Sequence, residues 1–479
     1  MTLVTAEKTS EMLLCKLHLK KAHTSTSLPA LCEVFSKLKS PSILGGNPSR
    51  ANADRFSYFA AQPKDMFVFH SGQKDPFAKL QKALDKYTLD KTRNDDLPKD
   101  MLPPGWIGYF AYELGRYIET LPETTTDDLN LPLIRLCFYD RLIAYDHIEN
   151  CFLLLALQLP DDTEQPQQKL DSLHNLLLKA QKISVPAPPP ADIENIDFSQ
   201  IQSNMDKQYY LDAVKKIKRD IYDGNVYQVN FSQRFLCDYN AGPIDLFHWQ
   251  NHYNPSPYSA YIDAGDFSII SASPEMFITI RDNIINTKPI KGTRPRVNHT
   301  PDYEKTNQKN FNELLDSLKE RAELNMIIDL ERNDLARICK HGTRKVTQPR
   351  TIETYPTVFH AVATVAGQLR EKILFSDILK AIFPGGSITG APKISSMKII
   401  DQTEPTARSV YTGSIGLLAL NGTASLNIAI RTVIIKNHKA YAQTGGGIVA
   451  DSDPNAEWNE TITKARALLA GIKAVQCAK

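Results

Sequence analysis

The stretch from Asn286 to Arg296, NTKPIKGTRPR, sets Lys291 between an apolar residue and Gly292, just after a run that alternates like a strand through Ile284, Ile285 and Thr287. A lysine with its ordinary pKa near 10.4 is neutral in only about one molecule in a thousand near neutral pH, so nucleophilic chemistry here requires burial or crowding by like charge. Lys288, Arg294 and Arg296 are close in sequence and offer that crowding. The competing account is a solvated basic turn, which spacing alone favours; what argues against it lies elsewhere in the chain.

Carboxylates that could work beside it occur in two places. Glu320 and Glu323 are one helical turn apart, and Met326, Ile327 and Leu330 continue the same side, so at least one glutamate approaches an apolar face. A carboxylate there needs a partner, either an arginine such as Arg321 or Arg332 or a metal ion. Further on, a strand over Tyr441–Thr444 runs into Gly445, Gly446 and Gly447, whose N–H groups, unshielded by side chains, are expected to stay free to face an anion. Asp453 can cap a helix with Pro454 at its first position, and Glu457, Glu460 and Lys464 then share one face at spacings of three and four. Alone, that face reads as a solvated ion-pair row. Joined to the glycines, its two carboxylates suit Mg²⁺ bridging protein glutamates and a substrate carboxylate, because magnesium takes oxygen ligands. The glycine-rich GGSITGAPK from Gly385 is not a Walker phosphate loop, since Ala391 and Pro392 separate Gly390 from Lys393. A mobile lid over an anionic substrate is the remaining functional reading of it.

The elements that must position these residues are short and punctuated. A helix is expected from about Asp206 to Tyr222, with Val214, Ile217 and Ile221 on its apolar face and Gly224 ending it. A strand through Val229, Phe231 and Phe235 follows, then a helix near Ile244–Tyr253, then strands over Tyr258–Ala264, Phe267–Ala272 and Met276–Ile280. Such short links imply antiparallel pairing, and the fold class is α+β with large antiparallel sheets. One long helix is expected from Asp302 to Cys339. In the N-terminal part, residues 1–183, the aromatic run in LPPGWIGYFAYELGR reads as core packing with Gly105, Gly108 and Gly115 allowing close backbone approach, and Leu133–Leu155 reads as two strands joined near His147–Asn150. The proline-rich SVPAPPPADIENID, within 184–200, reads as a semi-rigid linker ahead of a catalytic region over 201–475.

Composition narrows the function. With 56 Lys plus Arg against 54 Asp plus Glu among 479 residues, the net charge of +2 gives no global attraction to nucleic acid or membrane. The seven cysteines are scattered singly, without zinc spacing, as in a reducing cytoplasm. Glu7, Lys8 and Glu11 interrupt any signal-peptide core, and no apolar run approaches the ~20 residues of a membrane span.

The ordered segments YQVNFSQRF, NPSPYSAY, SASPEMF, PIKGTRPR, ELNMIIDLERNDLAR, VFHAVATVAG, PGGSITGAPK, VYTGSIG, SLNIAIRT and TGGGIVADSDPNAEWNET, between about Tyr209 and Ala474, resemble the chorismate-utilising enzymes. Within that family the lysine of PI-x-GT, here Lys291, resembles the aminodeoxychorismate synthase component I branch, where anthranilate synthases typically carry alanine. The resemblance implies two antiparallel sheets packed face to face with helices outside. It implies Lys291, in a motif with Gly292 and Thr293, as the nucleophile at ring C2 and Glu275 as the acid that protonates the departing C4 hydroxyl. Glu323, Glu457 and Glu460 are implied as Mg²⁺ carboxylates, and Tyr411, Arg431, Gly445–Gly447 and Lys464 as contacts to the pyruvyl and carboxylate groups. His360 matches a family histidine near the ring and could equally be structural. Ammonia is implied to come from a separate glutaminase subunit, since no cysteine here sits in a GxCxG elbow. Anthranilate or isochorismate synthesis, and a non-catalytic sensor of chorismate or an aromatic amino acid, remain the alternatives.

Overall fold

The structure, a computed structural model, describes residues 12–47, 55–90, 97–193, 196, 201–297 and 302–478. The charges at Glu7, Lys8 and Glu11, the end of SILGGNPSR, and residues 194–195 and 197–200 of the proline-rich segment lie outside them.

Two sheets carry the chain. The larger has thirteen strands and runs from Gln202–Ser203 through Gln228–Asp238, Lys439–Ile448, Thr432–Lys436, Phe267–Ser273 and Tyr258–Asp263 to strands of the N-terminal part, ending on Leu13–Ala22 and Tyr87–Leu89. The smaller has ten and runs from Ile290–Pro295 through Val358–Gln368, Ile284–Lys288, Met276–Arg281, Ala424–Asn427 and Ser414–Ala419 to Gly105–Phe110, Ile134–Phe138 and Asp65–Phe69. Pairing is antiparallel throughout, apart from the parallel pair of Leu13–Ala22 with Tyr87–Leu89. The sheets face each other across one core: Tyr109 of the smaller meets Phe267 of the larger edge to face at 6.2 Å. Helices Leu28–Ser36, Pro166–Gln181, Pro243–Tyr253 and Pro454–Cys477 cover the outer face of the larger sheet in a second core. Both faces of that sheet are therefore apolar, which is why Phe267–Ser273 is buried at every residue instead of alternating.

Each sheet takes strands from both sides of the proline-rich segment, and residues 184–193 lie on the protein as an irregular strap: Trp249 Nε1 donates to Pro189 O at 3.0 Å and Tyr253 Oη to Pro188 O at 3.1 Å. The glycines of GWIGYF behave as core spacers. A Cβ at Gly108 would sit 1.9 Å from Arg135 O of the neighbouring strand.

Three local expectations need correction. Leu133–Leu155 holds parts of three strands, because Ile134–Phe138 belongs to the smaller sheet and Arg141–Asp146 and Cys151–Gln158 to the larger. Met276–Arg281 does not continue the meander of its two predecessors. Pro274 has no N–H to give the ladder, and there the chain leaves the larger sheet for the smaller. The helix expected over Asp302–Cys339 is two, Tyr303–Asp316 and Leu318–Ala336, broken at Ser317, whose ψ of 110° is extended and whose side chain accepts from Glu320 N to cap the second.

Candidate active site

The site forms where one end of each sheet meets the other. Strand Ile290–Pro295 ends the smaller sheet, strands Gln228–Asp238 and Lys439–Ile448 lie near the end of the larger, and the crossing at Pro274–Glu275 joins the two sheets beside them. These elements, with the N-terminal turn of Leu318–Ala336 and one face of Pro454–Cys477, enclose a cavity of about 500 Å³. The residues that the resemblance implies for catalysis, substrate and metal all line it: Glu275, Lys291, Gly292, Thr293, Glu323, His360, Tyr411, Arg431, Gly445, Gly446, Gly447, Glu457, Glu460 and Lys464.

Lys291 is half-buried and donates to the Ser387 carbonyl at 3.0 Å. Burial is the largest influence on its pKa and holds it below the ordinary lysine value, against the pull of Glu275 and Glu323, with Lys464 adding to the lowering. The sequence neighbours expected to crowd it are engaged elsewhere. Lys288 pairs with Glu353, Arg294 with Glu320 at 2.7 Å, and Arg296 Nη1 donates to the carbonyls of Tyr355 and Pro356. For Lys288 strand alternation explains this, since the side chains at 288 and 291 stand on opposite faces, whereas Arg294 lines the same cavity with its charge taken by Glu320. Burial and a lysine distant in sequence thus do what local crowding was expected to do.

Glu275 is 4 % exposed, and its Oε1 accepts from the Ile290 N–H at 3.4 Å, which ties it to the residue before Lys291. Burial pushes its pKa above the usual carboxyl value, opposed by a hydrogen bond with Ser387 and by Lys291. One cavity therefore holds a carboxyl biased toward its protonated form and a lysine biased toward its neutral form, as general-acid and nucleophilic chemistry require. His360 Nδ1 pairs with Thr293 Oγ1 at 2.8 Å across the register of their strands, and burial lowers its pKa to about 4, so it is neutral near pH 7.

Three carboxylates stand opposite. Burial raises the pKa of Glu323 and of Glu457, which accepts from Ser452 Oγ at 2.6 Å. Burial also works against ionisation of Glu460, but Lys464 Nζ at 2.6 Å, with Lys319 and Lys291 farther off, brings its pKa below the usual value. Among the described residues no three such groups converge closely enough to cage a metal by themselves. An open set of this kind still fits Mg²⁺, which keeps waters and shares its ligands with substrate oxygens, and the three carboxylates that it would neutralise line one cavity.

The glycine amides are not all free, contrary to the expectation from the sequence. Gly445–Gly447 lie inside a strand, opposite Ser232, Phe231 and Asn230, so ladder pairing occupies alternate amides instead of leaving all three free. Thr432–Lys436 covers the other edge only as far as Ala442, and there Gly445 O accepts from Lys464 Nζ at 2.9 Å. Gly446 makes room: an added Cβ would stand 3.3 Å from Glu457 Oε2 and 3.6 Å from Glu460 Oε1.

Gly386–Ile388 is buried and forms cavity wall instead of an exposed lid, and Lys393 is turned away to Asp334 at 2.5 Å and Ile382 O at 2.8 Å. Sequence reasoning missed Ser387, Lys319, Gln228 and Asn230 as lining residues. For Gln228 and Asn230 a signal existed, two amides at a spacing of two in YQVN that alternate with the apolar Val229 and Phe231. For Ser387, whose carbonyl takes Lys291, none did.

A family model described as chorismate binding enzyme matches residues 48–470. The chain belongs to that family. It is 38 % identical to aminodeoxychorismate synthase component 1 of Escherichia coli (strain K12), over 82 % of each chain. It is 37 % identical to anthranilate synthase component 1 of Haloarcula marismortui, over 86 % of this chain and 84 % of the relative. Overall identity does not separate these two activities. Among solved structures, anthranilate synthase component I of Streptococcus pneumoniae TIGR4 matches with a TM-score of 0.72 and 30 % identity, over 88 % of this chain and 93 % of that one. The menaquinone-specific isochorismate synthase of Escherichia coli, 16 % identical with a TM-score of 0.68, shares the fold. Among the described residues no helix is long and apolar enough to cross a membrane.

Proposed function

We propose that this chain aminates chorismate at C4 as an aminodeoxychorismate synthase component I, in the cytoplasm, with ammonia from a glutaminase subunit, toward 4-aminobenzoate and folate. The observation that carries the reading is Lys291, which shares one cavity with Glu275, a carboxyl bonded to the Ile290 N–H next to it. Burial holds the lysine below its ordinary pKa and Glu275 above the ordinary carboxyl value. An alanine at 291, as the anthranilate branch typically has, would offer no nucleophile there.

In this reading the neutral Lys291 amine attacks C2 while the C4–O bond breaks, both conjugated ring double bonds shift toward C4, and Glu275 gives its proton to the hydroxyl, which leaves as water. Ammonia then adds at C4, both double bonds shift back, and Lys291 leaves C2 as its amine. A proton lost by the incoming nitrogen returns Glu275 to its acid form, so chorismate and ammonia give 4-amino-4-deoxychorismate and water. Glu323, Glu457 and Glu460 would hold Mg²⁺, which when bound offsets the charge of the ring carboxylate. Tyr411, Arg431 and Lys464 orient the other carboxylate, a fork such as the Arg431 guanidinium being suited to it. His360, neutral and fixed by Thr293, offers a hydrogen bond near the ring without adding charge. Incubation with chorismate, Mg²⁺ and ammonium, with the product identified by chromatography and mass, tests the proposal. 4-Amino-4-deoxychorismate supports it, whereas anthranilate, isochorismate or no turnover overturns it.

A further inference from the structure

The segment Tyr112–Tyr117 has no part in the chemistry above, yet it grips a turn that does. It forms a 3₁₀ turn in which Glu113, 7 % exposed, commits both carboxylate oxygens to a distant backbone. Oε1 accepts from the Arg408 N–H at 2.7 Å and Oε2 from the Ser409 N–H at 2.9 Å, while Tyr112 N donates to Ser409 O at 2.8 Å. The gripped turn is poorly disposed to form alone. Ser409 at φ +55° and Thr412 at φ +60° both occupy the left-handed region, which side chains with a Cβ avoid unless their surroundings impose it.

The turn leads straight to the cavity. Tyr411 lines it. The Arg408 guanidinium, buried and neutralised by Glu404 at 2.6 and 2.8 Å, donates to Asn230 O at 2.6 Å and Ile388 O at 3.1 Å, and both of those residues are cavity wall. One side chain thus joins three walls that come from separate stretches of sequence, and Glu113 fixes the backbone from which that side chain springs.

We propose that Glu113 is a positioning residue for the substrate cavity: by imposing the left-handed Arg408–Thr412 turn it sets Tyr411, and through Arg408 the Asn230 and Ile388 walls, against the bound ligand. The inference rests on the cavity being the chorismate site. Nothing in it requires Glu113 to touch substrate.

Glu113→Gln keeps the shape but offers one acceptor oxygen to two N–H donors. In steady-state kinetics with chorismate and ammonium, its KM for chorismate should rise about tenfold or more while kcat changes less. Ser409→Gly supplies a residue that takes positive φ without help, so adding it to Glu113→Gln should return KM toward the parent value. A residue that only stabilised the fold would lower the melting temperature and the active fraction, leave KM alone and gain no affinity from the glycine. Should Glu113→Gln fail to fold, Glu113→Asp, which keeps the charge but cannot reach both N–H groups, should show the same rise in KM. A folded variant with parent KM, or a raised KM that Ser409→Gly leaves unmoved, overturns the proposal while the functional reading stands. A parent chain that does not turn over chorismate overturns both.

Discussion

Replacing Glu275 by glutamine separates what this carboxyl does for the reaction from what its burial costs the fold. Its pKa is raised above the unfolded value of 4.5, chiefly by burial, with the Ser387 hydrogen bond, Lys291 and the Ile290 N–H opposing. An acid that binds its proton more tightly when folded contributes most to stability below its unfolded pKa, and that contribution is lost as pH rises through the folded pKa. Glutamine has the same outline, offers an oxygen to the Ile290 N–H, and does not ionise. Glu275→Gln should therefore melt no lower than the parent, with a gap in its favour that widens as pH rises above 4.5 toward neutrality. Catalysis should move the other way. A positioned general acid contributes about 10²–10⁴ in rate, or ~2.7–5.5 kcal/mol of barrier, so turnover of chorismate with ammonium should fall by that factor. Melting curves across pH and initial rates on the same preparations read both effects. A variant that melts lower than the parent near neutral pH, or that keeps more than about a tenth of its C4 amination, would refute this account of Glu275.

Gly446→Ala should leave the melting temperature within about a degree, because the new Cβ meets only the ends of flexible side chains at 3.3–3.8 Å, and should weaken chorismate binding about tenfold, ~1.4 kcal/mol. An unchanged KM would show that the space beside Glu457 and Glu460 is not used. EDTA should abolish turnover and Mg²⁺ restore it, while full activity in EDTA would remove the metal from the reading. The chain alone should use ammonium and not glutamine, gaining glutamine dependence only with a glutaminase subunit added; glutamine turnover by the chain alone would contradict that.

The antiparallel α+β architecture was legible because short links between alternating runs leave few other topologies. The cavity-lining residues were legible through dense ordered motifs taken together: Glu457, Glu460 and Lys464 alone read as a solvated ion-pair row, and only beside Gly445–Gly447 do they point to a site. Most of what failed concerns long range. Pro274 looks like a turn between two paired strands, whereas it marks a crossing between sheets, which depends on partners distant in sequence. Ser317 breaks a helix that periodicity alone carries through, since its hydroxyl competes as a cap. For Lys291 the sequence leaves burial or crowding by neighbours as ways to lower its pKa; burial dominates, and the charges at 288, 294 and 296 are taken up by other partners. The glycine amides read as free because nothing in the run announces its pairing with Gln228–Asp238.

Whether Lys291 is a nucleophile, and not merely a charge in the cavity, is tested most directly by what accumulates when ammonia is withheld. With chorismate and Mg²⁺ alone, intact and tryptic mass spectrometry should find a fraction of the chain carrying chorismate less water on the peptide that contains Lys291. Lys291→Ala should carry none and should aminate far more slowly. No adduct on the parent, together with parent-rate C4 amination by Lys291→Ala, would contradict the covalent account and remove its main support for the 4-aminating branch.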